Sequence, residues 1–392
     1  MTLNPPLFAL AIGAFGIGIS EFSPMGLLPL IAGDLDVSIP IAGLLISAYA
    51  VGVMVGAPLM TLTSGKMKRR SLLIGLAAIF TLGNLLAALS QSYGMLMAAR
   101  IVTSLNHGAF FGVGAVVAAS LVAPGRGASA VATMFMGLTL ATVVGVPLAT
   151  WMGEQFGWRL PFWGFTAIGL VTMLALRLTL PDRPAPNGGG ALAELKVLGH
   201  ASVIVALTLT VLGASAMFTV YTYIVPLLRH EAEASVAFVT VMLVVYGLGL
   251  MVGNWLGGHY ADRSVDRTLL VTLASLTLVL IALALLVPFP APTILLIFLW
   301  GITSFAIVPP LQIRVIGAAG NAPNLASAVN IGAFNLGNAV GAALGGAVIA
   351  AGLGYQALPL AGAVMSVLAL IGVWIASRGG SGSQADDKTV PC

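Results

Sequence analysis

The chain has 392 residues, of which 59% are hydrophobic and 7% are charged, and its mean hydropathy is +1.06. A soluble domain carries about 25% charged residues, so this composition excludes a soluble protein and indicates a polytopic α-helical membrane protein. The net charge of +4 does not indicate nucleic-acid binding, because the basic residues lie at loop ends and the aromatic residues lie inside the apolar runs.

Apolar runs bounded by charged residues, glycine, proline or polar clusters predict twelve membrane spans, since about 20 apolar residues cross a bilayer. The expected spans are 6–30, 41–63, 71–90, 94–118, 129–151, 160–180, 200–226, 235–258, 268–287, 292–313, 324–350 and 355–377. We therefore predict an all-α membrane protein with two six-helix bundles. The predicted parts are an N-terminal bundle at 1–180, a cytoplasmic linker at 181–199, a C-terminal bundle at 200–378 and a disordered cytoplasmic tail at 379–392.

The distribution of lysine and arginine predicts the orientation of these spans. If both termini are cytoplasmic, the loops on the opposite side contain only Arg159 and Arg229, and the remaining basic loop residues face the cytoplasm. We therefore expect both termini in the cytoplasm, in a multi-pass membrane protein.

The two halves of the chain repeat each other at a nearly constant offset. Asp262 lies 198 residues after Ser64 in corresponding loops, and Pro226 lies 197 residues after Pro29 in corresponding spans. A duplicated six-helix unit is typical of transporters in which the two halves move around a binding site near the middle of the membrane.

Glu21 lies well inside the first apolar run, LFALAIGAFGIGISEFSPMGLLPL, and is the only acidic residue within a predicted span. A charged side chain that faces lipid costs about 2.5 kcal/mol or more, so we expect Glu21 to face the protein interior or a water-filled cavity. There it can bind and release a proton, or it can form a structural ion pair with Arg100. At the same offset the second half has Phe218, so this acidic group is not duplicated.

The fourth predicted span contains three polar side chains, Arg100, Asn106 and His107. An arginine does not release its proton, so Arg100 is expected to act on Glu21 through its charge or to bind backbone carbonyls. Histidine titrates near neutral pH, and His107 is therefore a candidate for relaying protons or a hydrogen-bonded packing residue. Asn106 is a candidate for hydrogen bonding to substrate.

The sequences EFSPMGLLPLI in the first span, ARIVTSLNHGAFFG in the fourth and GLTLATVVGVPLATWMGEQFGWR in the fifth resemble the major facilitator superfamily. The closest resemblance is to its twelve-helix drug:proton antiporters, in the branch of bacterial sugar-efflux and arabinose-efflux-like permeases. It covers essentially the whole chain and implies proton-coupled export by a multi-pass protein of the bacterial inner membrane.

The resemblance also implies residues that act in the conformational cycle, because they match family motifs. In the loop motif after the second span of each half, and in the glycine- and proline-rich fifth-span motif, the matching residues are Lys68, Arg69, Gly145, Pro147, Gly153, Gly258, Asp262, Arg263 and Arg267.

Aromatic and amide side chains in the spans of the second half are candidates for substrate contacts. An amide in the hydrocarbon region needs hydrogen-bond partners, which makes the asparagines the stronger candidates. The candidates are Phe218, Tyr221, Tyr223, Trp300, Phe305, Asn330, Asn335 and Asn338.

The sequence contains no phosphate-binding Gly-x-x-x-x-Gly-Lys-Ser/Thr loop and no His-Glu-x-x-His or Gly-x-Ser-x-Gly motif, so we expect no enzyme activity. The single cysteine, Cys392, excludes internal disulfides and thiolate metal clusters, and we expect neither a cofactor nor a metal. The predicted function is proton-coupled efflux of a drug, sugar or nucleoside-like molecule by alternating access. We expect the protein to be a monomer whose partners are protons, the small-molecule substrate and membrane lipids. The alternatives are an uptake symporter or uniporter on the same fold, and a non-transporting receptor or lipid-handling protein.

Overall fold

A computed structural model describes residues 4–37, 39–64, 67–182, 191–320 and 323–383. Within these ranges the chain forms α-helices and one short π-helix, and no strand occurs. The helices are α1 (Pro5–Asp34), α2 (Ile39–Thr63), α3 (Arg69–Ala88), α4 (Tyr93–Ser120), α5 (Gly127–Leu140), the π-helix (Ala141–Gly145), α6 (Val146–Phe156), α7 (Arg159–Thr179), α8 (Ala191–Leu198), α9 (Ala201–Tyr221), α10 (Ile224–Glu231), α11 (Val236–Ala261), α12 (Val265–Leu286), α13 (Pro290–Ala306), α14 (Val308–Ala318), α15 (Pro323–Ala350) and α16 (Ala357–Ser383).

In the described ranges, twelve helical segments are long and apolar enough to cross a membrane. The predicted fold class is thereby confirmed, and the observed segments begin and end close to the predicted spans. Two spans are composite: α5, the π-helix and α6 form one, and α13 with α14 forms another. Part of the predicted linker, 183–190, and the end of the predicted tail, 384–392, lie outside the described residues. The last helix continues to Ser383, beyond the predicted boundary at 378.

The chain divides into two compact units. The first unit comprises Met1–His200 and Val315–Asn335, and the second comprises Ala201–Arg314 and Leu336–Cys392. In the first unit, α4 packs on α2 and α3, and α1 packs on α5, α6 and α7. The first part of α15 belongs there as well, because the Ser327 hydroxyl donates to the Gly112 carbonyl of α4 (2.8 Å). In the second unit, α11 packs on α13, and α16 packs on α9 and α12.

Glycines allow α11 and α13 to approach closely in the second unit. Gly249, Gly253 and Gly257 repeat at every fourth position, so they share one face of α11. A Cβ atom at Gly253 would lie 2.0 Å from the carbonyl oxygen of Ile302. The spacing therefore serves backbone-to-backbone packing, as small residues do in membrane helices generally.

The interrupted span α5–π–α6 packs along α1 through the glycines of the fifth-span motif. A Cβ atom at Gly145 would lie 2.3 Å from a side-chain carbon of Ile19, and one at Gly153 would lie 2.2 Å from Leu27. Pro147 is the second residue after the π-helix, as expected where proline removes a backbone donor and disturbs the helical hydrogen-bond pattern. These contacts fix α1 on both sides of Glu21.

Candidate functional site

A polar cluster surrounds Glu21 inside the first unit. The Glu21 side chain is 15% exposed, and its Oε2 lies 4.0 Å from Nδ1 of His107, whose side chain is 5% exposed. The same Nδ1 lies 3.1 Å from the hydroxyl of Tyr49, which α2 contributes. Glu21, Tyr49, Arg100 and His107 are called the Glu21 cluster below. Three helices, α1, α2 and α4, thus bring an acid, a phenol, a guanidinium and an imidazole together.

Arg100 is buried and binds the backbone of α1 rather than pairing directly with Glu21. Its Nη1 donates to the carbonyl oxygen of Ser20 at 2.7 Å, and its guanidinium carbon lies 4.1 Å from the centre of the Tyr49 ring. The carbonyl of Ser20 is available because residue 24, four positions later, is proline and has no N–H to donate. Of the two interactions that the sequence left open for Arg100, the structure shows the one with a backbone carbonyl.

The guanidinium of Arg100 nevertheless lies at the level of Glu21, since it binds the carbonyl of the preceding residue. In the described part of the chain, the Nε and Nη2 atoms of Arg100 have no hydrogen-bond partner, and neither does the buried hydroxyl of Ser23. Buried donors normally find partners, so the cluster has unused hydrogen-bonding capacity beside a carboxyl group. A site of this kind can bind protons and can exchange partners when its geometry changes.

Sequence reasoning missed Tyr49, which contacts both Arg100 and His107. The only sequence signal was a phenol in an otherwise apolar span, ISAYAVGVMVGAPL, and a span tyrosine is more often a packing residue. It also missed Ser20, whose hydroxyl donates to Oδ1 of Asn84 on α3 at 2.9 Å. The consequence is that α1 is held at this level by α3 as well as by α4.

Asn106 lies in a different place from the Glu21 cluster. Its side-chain nitrogen donates to the carbonyl of Thr103, and among the described residues its Oδ1 accepts no hydrogen bond. It lines a small cavity of about 10 Å³, space for about one water molecule. The other lining residues are Gly13, Ile17, Ala77, Phe80, Phe110 and Thr172, none of which belongs to the Glu21 cluster. Substrate binding by Asn106 stays a prediction.

Aromatic rings of the second unit form a second cluster, composed of Phe218, Tyr221, Tyr246 and Trp300 and called the aromatic cluster below. Tyr221 stacks on Tyr246 with ring centres 5.2 Å apart, and Tyr246 lies 4.2 Å from Trp300. The rings of Phe218 and Tyr221 are nearly perpendicular, with ring centres 6.1 Å apart. Three of the four rings were predicted from the sequence, whereas Tyr246, on α11, was not.

The aromatic cluster also contains polar atoms without partners. Within the described ranges, the Trp300 indole N–H, the Tyr246 hydroxyl and the hydroxyl of Ser304 have no hydrogen-bond partner, although the last two face each other. Tyrosine and tryptophan normally bond their polar atoms when buried. A ligand with acceptor groups can supply the missing partners.

The remaining predicted substrate residues are Tyr223, Phe305, Asn330, Asn335 and Asn338. Tyr223 donates to the carbonyl of Ala342 (2.9 Å), which connects it to α15, and Asn335 donates to a carbonyl of its own helix. Phe305 and Asn330 are buried, and Asn338 is half-buried. Their contact with substrate stays a prediction.

The loop-motif residues lie at helix ends. Lys68 pairs with Asp182 just beyond α7 (Nζ–Oδ2 3.0 Å), and this hydrogen bond lowers the pKa of the Asp182 carboxyl. Arg69 begins α3. In the second unit, Gly258 and Asp262 lie at the end of α11, while Arg263 and Arg267 lie at the start of α12. The proposed conformational roles of these residues stay predictions.

Comparisons with known proteins agree with this architecture. The family model of the Major Facilitator Superfamily matches residues 10–330. The chain is 57% identical over 378 residues to the inner membrane transport protein YdhP of Escherichia coli (strain K12), covering 96% of this chain and 97% of that protein. It is 34% identical over 354 residues to a chloramphenicol resistance protein of Streptomyces lividans, covering 89% of each chain.

Among solved structures, the fold is similar to that of the E. coli fucose:proton symporter FucP. The TM-score is 0.75 at 16% sequence identity, and the match covers 94% of this chain and 98% of FucP. The family model and these relatives show a transporter of the inner membrane with multiple spans. The chain belongs to the Major Facilitator Superfamily. The predicted family and localisation are thus confirmed.

Proposed function

We propose that this transporter exports a small organic molecule in exchange for protons, and that Glu21 is the proton-binding residue. The supporting observation is the Glu21 cluster, in which a carboxyl group lies 4.0 Å from His107 within the field of Arg100. The chloramphenicol resistance protein among its relatives favours export and a drug-like substrate. Sugar-like and nucleoside-like molecules are the other substrate classes that we propose to test.

The coupling follows from the energy of a charge in a site with little water. When Glu21 is ionised, its charge needs a compensating partner, and the unused donors of Arg100 on α4 can supply one. When Glu21 is protonated, that requirement disappears and α1 and α4 are free to take another arrangement. Proton binding from outside and release inside would thereby alternate the exposure of the substrate site.

The aromatic cluster is the proposed substrate contact in the second unit. Its stacked rings offer apolar faces, and its unpartnered indole and hydroxyl groups offer directed hydrogen bonds. Such a combination suits a partly polar organic molecule and not a small inorganic ion. The protein is proposed to work as a monomer.

The experiment compares Glu21→Gln with Glu154→Gln, an exposed acid on α6 that serves as the matched control. Thermal-shift measurements against drugs, sugars and nucleosides at two pH values select the probe, with chloramphenicol as the first compound. Everted membrane vesicles with an acidic interior are then supplied with the labelled probe. Exchange of one proton for a neutral probe predicts about tenfold accumulation inside per pH unit.

The expected result is that wild type and Glu154→Gln accumulate the probe, whereas Glu21→Gln inserts normally but accumulates none. Normal accumulation by Glu21→Gln would show that another group couples the proton. Accumulation only when the gradient is reversed would identify a symporter, and transport that ignores the gradient would identify a uniporter. Probe binding without any flux would identify a receptor.

A further inference from the structure

An open cavity lies on the second unit where α11 ends and α12 begins. Its volume is about 430 Å³, which falls in the range of small-molecule sites, about 300–1,000 Å³. It is lined by Tyr260, Arg263, Ser264, Arg267, Thr268, Val271 and Thr272. These residues are called the α11–α12 pocket below.

The α11–α12 pocket carries two positive charges and no acidic lining residue. Arg263 and Arg267 are both exposed, and neither forms an ion pair with the residues that the structure describes. Asp266, next to Arg267, pairs with Arg314. Asp262, next to Arg263, is half-buried and does not line the pocket. The guanidinium carbon of Arg263 lies 5.8 Å from the centre of the Tyr260 ring. The pocket therefore attracts an anion.

Hydroxyl groups add directed hydrogen bonds to this charge. The Ser264 oxygen accepts from the backbone N–H of Arg267 at 3.3 Å, which leaves its own O–H free to donate. The Thr268 hydroxyl donates to the carbonyl of Ser264 and keeps acceptor capacity. Two arginines and a serine hydroxyl match the oxygens of a phosphate group, which guanidinium binds through paired N–H groups.

Residue types that are common at the membrane–water interface surround the pocket. Trp255 and Tyr260 on α11 are 50% and 49% exposed, and Trp255 stacks on His259. Exposed tryptophan and tyrosine mark the level of lipid headgroups. Val271 is 61% exposed and lies one helical turn beyond Arg267, about 6 Å along α12. The pocket thus joins a charged end to an apolar surface, as an anionic lipid does.

We propose that the α11–α12 pocket binds a phosphate group carried by an anionic phospholipid of the surrounding membrane. The predicted orientation puts this pocket at the cytoplasmic leaflet, where anionic lipids attract basic residues by about 1 kcal/mol for each lysine or arginine. A free phosphate ion has the same oxygens but makes no use of Val271. The proposal is independent of the transported substrate and of the direction of transport.

The experiment titrates the purified full-length protein, in an uncharged detergent, with three ligands. These are dioctanoyl phosphatidylglycerol, dioctanoyl phosphatidylcholine and inorganic phosphate, and the readouts are the melting temperature and bound-lipid adducts in native mass spectrometry. Wild type is expected to bind phosphatidylglycerol more tightly than the other two. Loss of both arginine charges in the double variant Arg263→Gln, Arg267→Gln is expected to weaken this binding about 30-fold.

The matched control is the double variant Arg126→Gln, Arg177→Gln, which removes two exposed charges from the first unit and is expected to bind like wild type. A second double variant, Arg263→Lys with Arg267→Lys, keeps both positive charges but not the planar guanidinium groups. It is expected to lose less affinity for phosphatidylglycerol than the glutamine variant, and it keeps the proposal testable if the glutamine variant unfolds. Equal losses in the control and pocket variants, or no loss in the pocket variants, would overturn the proposal. If inorganic phosphate binds as tightly as the lipid and needs the same arginines, the conclusion that the bound phosphate group belongs to a phospholipid would be wrong.

Discussion

The Ser20 carbonyl can accept a hydrogen bond from Arg100 because Pro24 has no N–H to donate to it. The contribution of this hydrogen bond to stability can therefore be measured by replacing Pro24. If Pro24 becomes alanine, residue 24 gains an N–H that can donate to the Ser20 carbonyl within α1. Arg100→Gln leaves that carbonyl without a donor in the wild-type background, but not in the Pro24→Ala background. We therefore expect Arg100→Gln to destabilise the protein less when residue 24 is alanine.

The size of the difference follows from the geometry. The hydrogen bond is short, 2.7 Å, and its donor is charged and buried. Hydrogen bonds to charged groups contribute about 1.5–3 kcal/mol in proteins, while couplings measured between membrane helices reach about 1.7 kcal/mol. We expect a coupling of about 1–2 kcal/mol between positions 24 and 100. The general effect of removing a proline, or of removing the other Arg100 contacts, cancels in the double-mutant cycle.

The assay is equilibrium unfolding of the four proteins in mixed detergent micelles, which gives the free energy of unfolding for each. The control cycle replaces Pro29, the other proline within α1, by alanine. Position 29 frees the carbonyl of Met25, which Arg100 does not contact, so no coupling is expected there. A coupling below about 0.3 kcal/mol at position 24, the usual limit of additivity, would refute the reasoning. So would equal couplings in the two cycles.

Two further predictions concern the second unit. Gly253→Ala places a Cβ atom 2.0 Å from the carbonyl of Ile302 and is expected to reduce the free energy of unfolding by about 1–3 kcal/mol, whereas Gly75→Ala, with nothing within 4 Å, is not. Equal melting temperatures of the two variants would contradict a packing role for Gly253. Tyr246→Phe removes a buried hydroxyl without a partner, so stability is expected to rise by about 1 kcal/mol while probe affinity falls. A loss of stability in thermal unfolding would show that the hydroxyl is hydrogen-bonded.

Most of the fold was predictable because membrane spans have a strong one-dimensional signal. Backbone groups in hydrocarbon must bond within their own segment, so length and hydropathy alone locate helices such as α4 and α12. The breaks inside spans were harder to predict. The π-helix before Pro147 and the boundary between α13 and α14 depend on local hydrogen-bond changes that hydropathy does not record.

The candidate site was predictable by residue type more than by arrangement. Charged and polar residues in a span are rare, so Glu21, Arg100 and His107 could be selected from the sequence alone. Tyr49 could not, because its role comes from contacts with Arg100 and His107 on another helix. Tyr246 was missed for the same reason, since its stacking on Tyr221 and Trp300 joins three helices.

By itself the sequence determined the class of protein, the number of spans and the presence of an acid deep within the first span, since each follows from the cost of exposing polar groups to lipid. Only the tertiary structure decided what those polar groups contact. Arg100 binds the carbonyl that Pro24 leaves free, and His107 lies beside Glu21 and Tyr49. Such partners are set by the packing of α1, α2 and α4 against each other, and a helix face has many candidate neighbours until that packing is known.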